Sequence, residues 1–358
     1  MRAMFQAVVT VRLCLSREGV EMDRVRRPTM HDVASRSGVS IKTVSRVVND
    51  EPAVRAATAE RVLAAISELG FQRNDMARSL RSGRQTLSIG LVIGDLANPF
   101  YSAIARGVEA SAWEHQSVVI SGSSEEGPER ERQLVAALAS RRVDGLLIVP
   151  AAPDQRHLAR EIAMGTPVVF MDRRPTNPRT DSIVLDNDGG VRQGVEHLLK
   201  AGHRRIALLA DSQDIQTMKV RVNSFKKAMA AAGRPVDEDL VRVGLHDPAM
   251  ARAATAEILA AKRRPTAFFT CNNRVTLGVV EELFHRGEDL EVVGFDDFEL
   301  SHLVPIRLHV IAYDACELGR RAAEQLFQRI SGSTAPLVHD VVETTLLKRG
   351  QDSLSAAG

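Results

Sequence analysis

Beyond residue 87 the chain alternates short, almost wholly apolar runs with longer stretches whose apolar residues recur every three or four positions. The short runs cover residues 88–93, 118–121, 145–149, 167–171, 206–209, 267–270 and 291–295 and are rich in Val, Ile, Leu and Phe. They have the length of strands, and being apolar on both faces they predict parallel sheets covered by helices. Helical periodicity fills the intervals, as at residues 101–114 and 128–140. So many strands exceed one compact open sheet. The pattern therefore predicts a two-lobed α/β receptor, whose ligand lies outside the carboxyl ends of the strands.

The front of the chain has a shorter rhythm. Thr29 is placed to cap a first helix that turns Val33 and Ala34 inward. Gly38 stands where a tight turn needs positive φ, and Val39 fills the angle behind it. Ser40 is placed to cap a second helix on which Val44, Val47 and Val48 form one stripe. The opposite face carries Lys42, Ser45 and Arg46, with Ile41 beside them. A third helix is expected over residues 58–69, with Val62, Ile66 and Leu69 inward and Gly70 at its end. The result is an α-helical helix-turn-helix headpiece. Its second helix is short, basic and polar outside, as an element that enters the major groove must be.

Charge sharpens this division. Residues 1–84 hold fifteen Lys/Arg against nine Asp/Glu, a balance of +6, so within the whole-chain net charge of +2 the remainder carries −4. A basic front on an acidic body points the front at a polyanion. Cys14, Cys271 and Cys316 are far apart and odd in number, offering neither a disulfide framework nor a metal-ligand spacing. They indicate a reducing, cytoplasmic setting, and no metal or cofactor is expected. No apolar run approaches the length of a membrane span. Residues 1–27 read as an extension or as a mis-assigned start, with Met22 and Met30 as alternative first residues; the stretch lacks the small-residue cleavage site of a secretory leader.

The run Asp32-Val33-Ala34, Gly38-Val39-Ser40, Thr43-Val44-Ser45-Arg46-Val47 and Asn49 resembles the headpiece of the lactose/galactose repressor (LacI/GalR) family of bacterial transcriptional regulators almost residue for residue. The resemblance continues through Asn74-Asp75-Met76-Ala77-Arg78-Ser79-Leu80, similar to that family's hinge helix, and across the receptor to about residue 349. It implies a headpiece at residues 28–72, a hinge at 73–86, a periplasmic-binding-protein-like domain at 87–349 and a tail at 350–358. It also implies three crossings between a DNA-proximal lobe (87–185 and 312–331) and a distal lobe (186–307, with a terminal strand at 338–348). By the same resemblance, Thr29, Ser40, Ile41, Lys42, Thr43, Ser45, Arg46, Asn49, Asn74, Ala77 and Leu80 are expected to meet DNA, Leu80 as a wedge in the minor groove. Phe100, Tyr101, Asp172, Arg221, Asn273 and Asp296 are expected to meet a small effector, a carbohydrate first and a purine or nucleoside second. Such a ligand needs an aromatic face together with charged or amide groups that bond hydroxyls. The implied assembly is a homodimer, or a dimer of dimers, on a pseudo-palindromic operator of double-stranded DNA. Three departures stand out: Arg73 where relatives have Pro, Ser224 where Gly is usual, and Asp314 where Pro is usual.

Rival classes find less support. No G-x-G-x-x-G follows an early strand, and no G-x-x-x-x-G-K-[ST] occurs, so a nucleotide-dependent enzyme is not indicated. His203 and His309 have no matching nucleophile and read as structural or solvated, and the acidic stretch Glu125, Glu126, Glu129 and Glu131 reads as a solvated helix start. A solute-binding protein for transport would need export. A regulator that ignores ligands would share this pattern.

Overall fold

A computed structural model describes residue 26, residues 28–49, residue 51, residues 54–71 and residues 86–350. The chain divides into two units, residues 1–82 and 83–358. Asn74, Ala77 and Leu80 lie outside the described residues.

In the first unit, α1 (Met30–Ser37), α2 (Ile41–Val48) and α3 (Ala56–Leu69) enclose a small core of Val33, Ala34, Val44, Val62 and Ala65. Val39, Val47, Val48, Ile66 and Leu69 pack around it as the periodicity requires. Helix α3 begins two residues before the expected Thr58, because Arg55 enters it in extended conformation without a side-chain cap.

The second unit holds two six-stranded sheets of matching design. By residue, the strand order of the first is 339–342, 181–185, 168–172, 146–148, 88–93 and 118–123, and that of the second 345–350, 307–312, 291–295, 267–270, 206–209 and 241–242. In the first lobe, β1 (Ser88–Ile93), β2 (Val118–Ser123), β3 (Leu146–Ile148), β4 (Val168–Asp172) and β5 (Asp181–Leu185) run parallel. Helices α4 (Pro99–Glu114), α5 (Pro128–Ser140) and the short α6 (Ala159–Ala163) connect them. Strand β1 shows why the runs are continuously apolar. Ile89, Leu91 and Ile93 face the core under α4, while Val92 faces the one under α5.

The second lobe repeats the plan. Its strands are β6 (Ile206–Leu209), β7 (Val241–Arg242), β8 (Ala267–Thr270), β9 (Glu291–Phe295) and β10 (Arg307–Ala312), again parallel. Helices α7 (Asn187–Lys200) and α8 (Gln216–Ala231) cover one face, and α9 (Pro248–Ala260) and α10 (Asn273–Arg286) the other. Helix α11 (Ala315–Ile330) returns to the first lobe and lies against α4. There the two backbones approach so closely that a Cβ on Gly319 would stand 2.1 Å from the Ile104 carbonyl oxygen. Only glycine permits that approach.

The expected terminal strand at 338–348 is corrected into two. Strand β11 (His339–Val342) pairs parallel with β5 in the first lobe, and only β12 (Thr345–Gly350) joins the second, antiparallel to β10. The break falls at Glu343-Thr344, where the Thr344 hydroxyl donates to the Asp186 carbonyl at 3.3 Å and ties the third crossing to the first. The second crossing runs through Tyr313 and Asp314. Asp314, in place of the usual Pro, caps α11 by accepting from the Glu317 amide at 2.9 Å. Ser224, in place of Gly, donates its hydroxyl to Asp188 at 2.6 Å and links α8 to α7. Among the described residues no helix is long and apolar enough to cross a membrane.

Candidate nucleic-acid interface and effector cleft

The headpiece is built by its caps. Thr29 and Asp32 form a reciprocal capping box: the Thr29 amide and hydroxyl donate to Asp32 Oδ2 at 2.7 and 2.6 Å, and the Asp32 amide returns to Thr29 Oγ1. These bonds from Thr29 hold the Asp32 carboxyl below its ordinary value. Gly38 ends α1 at φ 66°. Ser40 Oγ then accepts from the Thr43 amide at 3.2 Å, so α2 starts two residues after the turn. Val44 is fully buried, which fixes the rotation of α2 and leaves Ile41 and Lys42 exposed. Ile41 is thus an apolar side chain left facing water, 39% exposed, on the outer side of α2. Asn49 donates to Ser45 Oγ at 3.3 Å, and Arg46 lies 3.7 Å from Glu51. Ser45 and Arg46 are thus held at the end of the helix rather than left loose.

In the second unit a cleft of about 430 Å³ opens between the lobes. Phe100, Tyr101, Asp172, Arg221 and Asp296 all line it. Asn273 differs: as the first residue of α10 it donates to Asn98 Oδ1 at 3.2 Å, joining the lobes at the cleft's edge, while its neighbour Asn272 lines the wall. Arg274 makes a second inter-lobe bond, to Asp95 at 3.0 Å.

Two carboxylates occupy matching places. Asp172 ends β4 and Asp296 follows β9, the third strand of each sheet. Both sit in the left-handed region, at φ 63° and 71°, which a non-glycine residue adopts only when its surroundings compel it. The repeated fold therefore aims one carboxylate from each lobe into the same space. Burial pushes the Asp172 carboxyl up to about 6 despite Arg173, whose Nε lies 3.3 Å from Oδ2.

Arg221 projects from α8 and is 3% exposed. Its Nε donates to Asn187 at 2.7 Å and its Nη1 to the Cys271 carbonyl at 2.7 Å, with Asp296 at 3.3 Å. The guanidinium carbon stands 3.6 Å from the Phe295 ring centre. Burial is the largest single influence and works against this charge, but Asp296, Tyr313, Asp172 and Cys271 together outweigh it and raise Arg221 above its ordinary value. An aromatic corner completes the wall: Phe100 meets Tyr313 edge-on at 5.8 Å, and the Tyr313 hydroxyl donates to Asp296 at 2.6 Å.

Three lining residues that the sequence did not assign to the cleft, Arg173, Glu126 and Tyr313, tie its walls together. Arg173 donates to both Glu126 oxygens, at 2.5 and 2.7 Å, and to the Tyr101 hydroxyl at 3.0 Å. Burial, the largest single influence, would raise Glu126, but the Arg173 charge together with the hydrogen bonds from Arg173 and Tyr101 holds it below its ordinary value. This overturns the reading of the acidic stretch as solvated. Glu126 belongs to the cleft, and Glu131 is buried, accepting from the Ala151 amide at 2.6 Å. Of the four, Glu125 and Glu129 are exposed as expected, and the structure pairs them with Arg130 and Arg132. Tyr313 is the third. The doublet Asp172-Arg173 at the end of an apolar strand was the available signal for Arg173; nothing local marked Tyr313.

The raised Asp172 carboxyl carries a testable cost. A proton on it stabilises the folded state, an effect complete below 3.8 and lost as pH rises through about 6. Asp172→Asn is therefore expected to stabilise the ligand-free protein by about 3 kcal/mol at pH 7.5, and by less at pH 5. Urea unfolding at the two pH values measures this. An equal difference at both would show that the carboxyl is hydrated in solution.

A capped helix-turn-helix joined to a two-lobed receptor with a charged cleft defines a DNA-binding regulator with a solute sensor. Residues 29–74 match the bacterial regulatory proteins of the lacI family, and residues 86–348 match the periplasmic binding proteins and sugar binding domain of the LacI family. The chain belongs to the LacI family, whose members regulate transcription rather than catalyse a reaction. The HTH-type transcriptional repressor PurR of Aliivibrio fischeri (strain MJ11) is 32% identical over 309 residues, covering 84% of this chain and 91% of that protein. A lac repressor dimer bound to operator and the anti-inducer ONPF is similar at 30% identity and a TM-score of 0.79, covering 90% of this chain and 98% of its own. The transcriptional regulator CelR in complex with cellobiose is similar at 31% identity and a TM-score of 0.67, over 90% of this chain and all of its own, 100%.

Proposed function

We propose that the protein is a cytoplasmic transcriptional repressor, a homodimer or dimer of dimers, whose grip on a pseudo-palindromic operator is set by a neutral carbohydrate held between the receptor lobes. The observation that carries the ligand class is the charge of the cleft. Its lining holds seven carboxylates, Asp95, Glu125, Glu126, Asp172, Asp211, Asp214 and Asp296, against Arg173, Arg221 and Arg274. Each arginine is already engaged by a carboxylate, at Glu126, Asp296 and Asp95 respectively. A phosphorylated sugar or a nucleotide would meet surplus negative charge, whereas sugar hydroxyls would donate to Asp172 and Asp296. The aromatic corner of Phe100 and Tyr313 supplies a face for sugar C–H groups.

On the DNA side, Ile41 and Lys42 are assigned base contacts and Arg46 a base or phosphate contact. Thr29, Ser40, Thr43, Ser45 and Asn49 fix register through the backbone. Asn74 and Ala77 belong to the proposed hinge helix, and Leu80 is its minor-groove wedge. Sugar in the cleft changes the angle of the lobes and so the spacing of two hinges. Each tenfold change in operator affinity needs only about 1.4 kcal/mol of coupling.

The test is selection of sheared genomic DNA with the purified protein, with and without a panel of neutral mono- and disaccharides. Enrichment of palindromes that one sugar abolishes is the expected result. Enrichment that no sugar alters, but that a purine or phosphosugar does, overturns the ligand class. Leu80→Ser is expected to weaken binding to the selected operator roughly 10- to 100-fold, by removing the wedge, with sugar affinity unchanged. Fluorescence anisotropy on a labelled operator checks the first, calorimetry the second. Equal loss of both would end the two-module account.

A further inference from the structure

At the amino-terminal edge of the second sheet, far from the cleft, three histidines converge on one carboxylate. Glu291 opens β9 and is buried. His197, near the end of α7, places Nε2 at 2.6 Å from Glu291 Oε1. His309 on β10 places Nδ1 at 3.3 Å from the same oxygen. That nitrogen is buried and has no hydrogen-bond partner. His203 holds the other oxygen, Oε2, at 3.0 Å, and is itself steadied by Thr266 at 3.0 Å. Arg307 stands farther off on the Oε2 side, at 3.9 Å, and is bonded to Asp289.

We propose that His197, His309 and Glu291 form a binding site for a divalent transition-metal ion of the zinc type, with His203 as the residue that positions the carboxylate. The three ligand atoms lie within 4.8 Å of one another. Metal–ligand bonds of about 2.0–2.1 Å in a tetrahedron put neighbouring ligand atoms about 3.3 Å apart. The His309–Glu291 spacing already has that value. The shorter His197–Glu291 contact is the hydrogen bond that an ion would replace, and the His197 side chain, near the end of its helix, is 29% exposed. The rings of His197 and His309 pack 4.0 Å apart, so the two imidazoles stand side by side against the same carboxylate. Two imidazoles and a carboxylate suit zinc, leaving the fourth position to water. Because the ligands come from positions 197, 291 and 309, no sequence spacing announces them. The ion would clamp α7 to β9 and β10, about 15 Å along β9 from the effector carboxylate Asp296.

The test uses the full chain without an affinity tag, stripped with chelator and dialysed against zinc sulfate or cobalt chloride. One zinc per chain by emission spectroscopy, and visible absorption typical of four-coordinate cobalt, are expected. Both should persist in His285→Gln, an exposed histidine outside the cluster, and be lost in His197→Gln and His309→Gln. No stoichiometric metal, or metal that survives both substitutions, overturns the proposal. Zinc-edge X-ray absorption on the unaltered protein supplies a readout that needs no variant. Two histidine nitrogens with oxygen support the site, and sulfur scattering from a cysteine sinks it.

Discussion

Arg221→Ala is expected to lower effector affinity at least 100-fold while operator affinity without effector stays within about threefold. Each charge-assisted hydrogen bond from a buried guanidinium is worth about 1.5–3 kcal/mol, and about 2.7 kcal/mol already gives 100-fold. The loss compounds because Asp296, held by Arg221 and Tyr313, would keep its burial and lose its cation. Breaking a buried pair in this way destabilises by about 3–5 kcal/mol, so the variant should also melt earlier. Arg221→Lys separates charge from shape. A lysine cannot reach Asn187 and the Cys271 carbonyl at once, as Nε and Nη1 do here, so most of the affinity should stay lost. Calorimetry with the sugar that most raises the melting temperature decides the matter. Unchanged affinity in a folded Arg221→Ala protein removes this residue from the site.

Val44→Asp is expected to abolish operator binding, by more than about 1000-fold, and leave effector binding intact. Val44 is fully buried in a core whose other buried members are Val33, Ala34, Val62 and Ala65. An unpaired carboxylate there costs several kcal/mol, comparable to all the stability so small a unit commands. The receptor is a separate unit with its own cores, so its calorimetric response should not move. Anisotropy on labelled operator and sugar calorimetry read the two halves. Retained operator binding would mean that the orientation of α2 does not depend on this packing.

The headpiece was legible from sequence because its signals are local. Thr29, Gly38 and Ser40 act within three residues of themselves, and Val44 reports a helix face directly. The effector cleft was legible only in part. Asp172, Arg221 and Asp296 came from family resemblance, and the structure brings them together. Arg173, Glu126 and Tyr101 form one network across 47 and 72 residues of chain, and no local pattern links such positions. A doublet of glutamates before a helix looks solvated until Arg173 is seen over it. The split terminal strand failed for a related reason. Apolar alternation marks extended chain, but it does not say which sheet receives it, and the change at Glu343-Thr344 leaves no mark in the pattern.

The lobes are joined by three neighbouring passages of chain, two of them pinned together by Thr344 and Asp186. A single tether would let one lobe slide, twist and tilt independently; three side by side leave little beyond rotation about one axis, as in a jaw. Whatever fills the mouth, the output is then the same swing. On the proposed coupling, new ligand chemistry could be written into the cleft walls without redesigning the swing of the lobes, and a poorly fitting molecule would differ from a good one in how often the jaw is closed, not in where it closes.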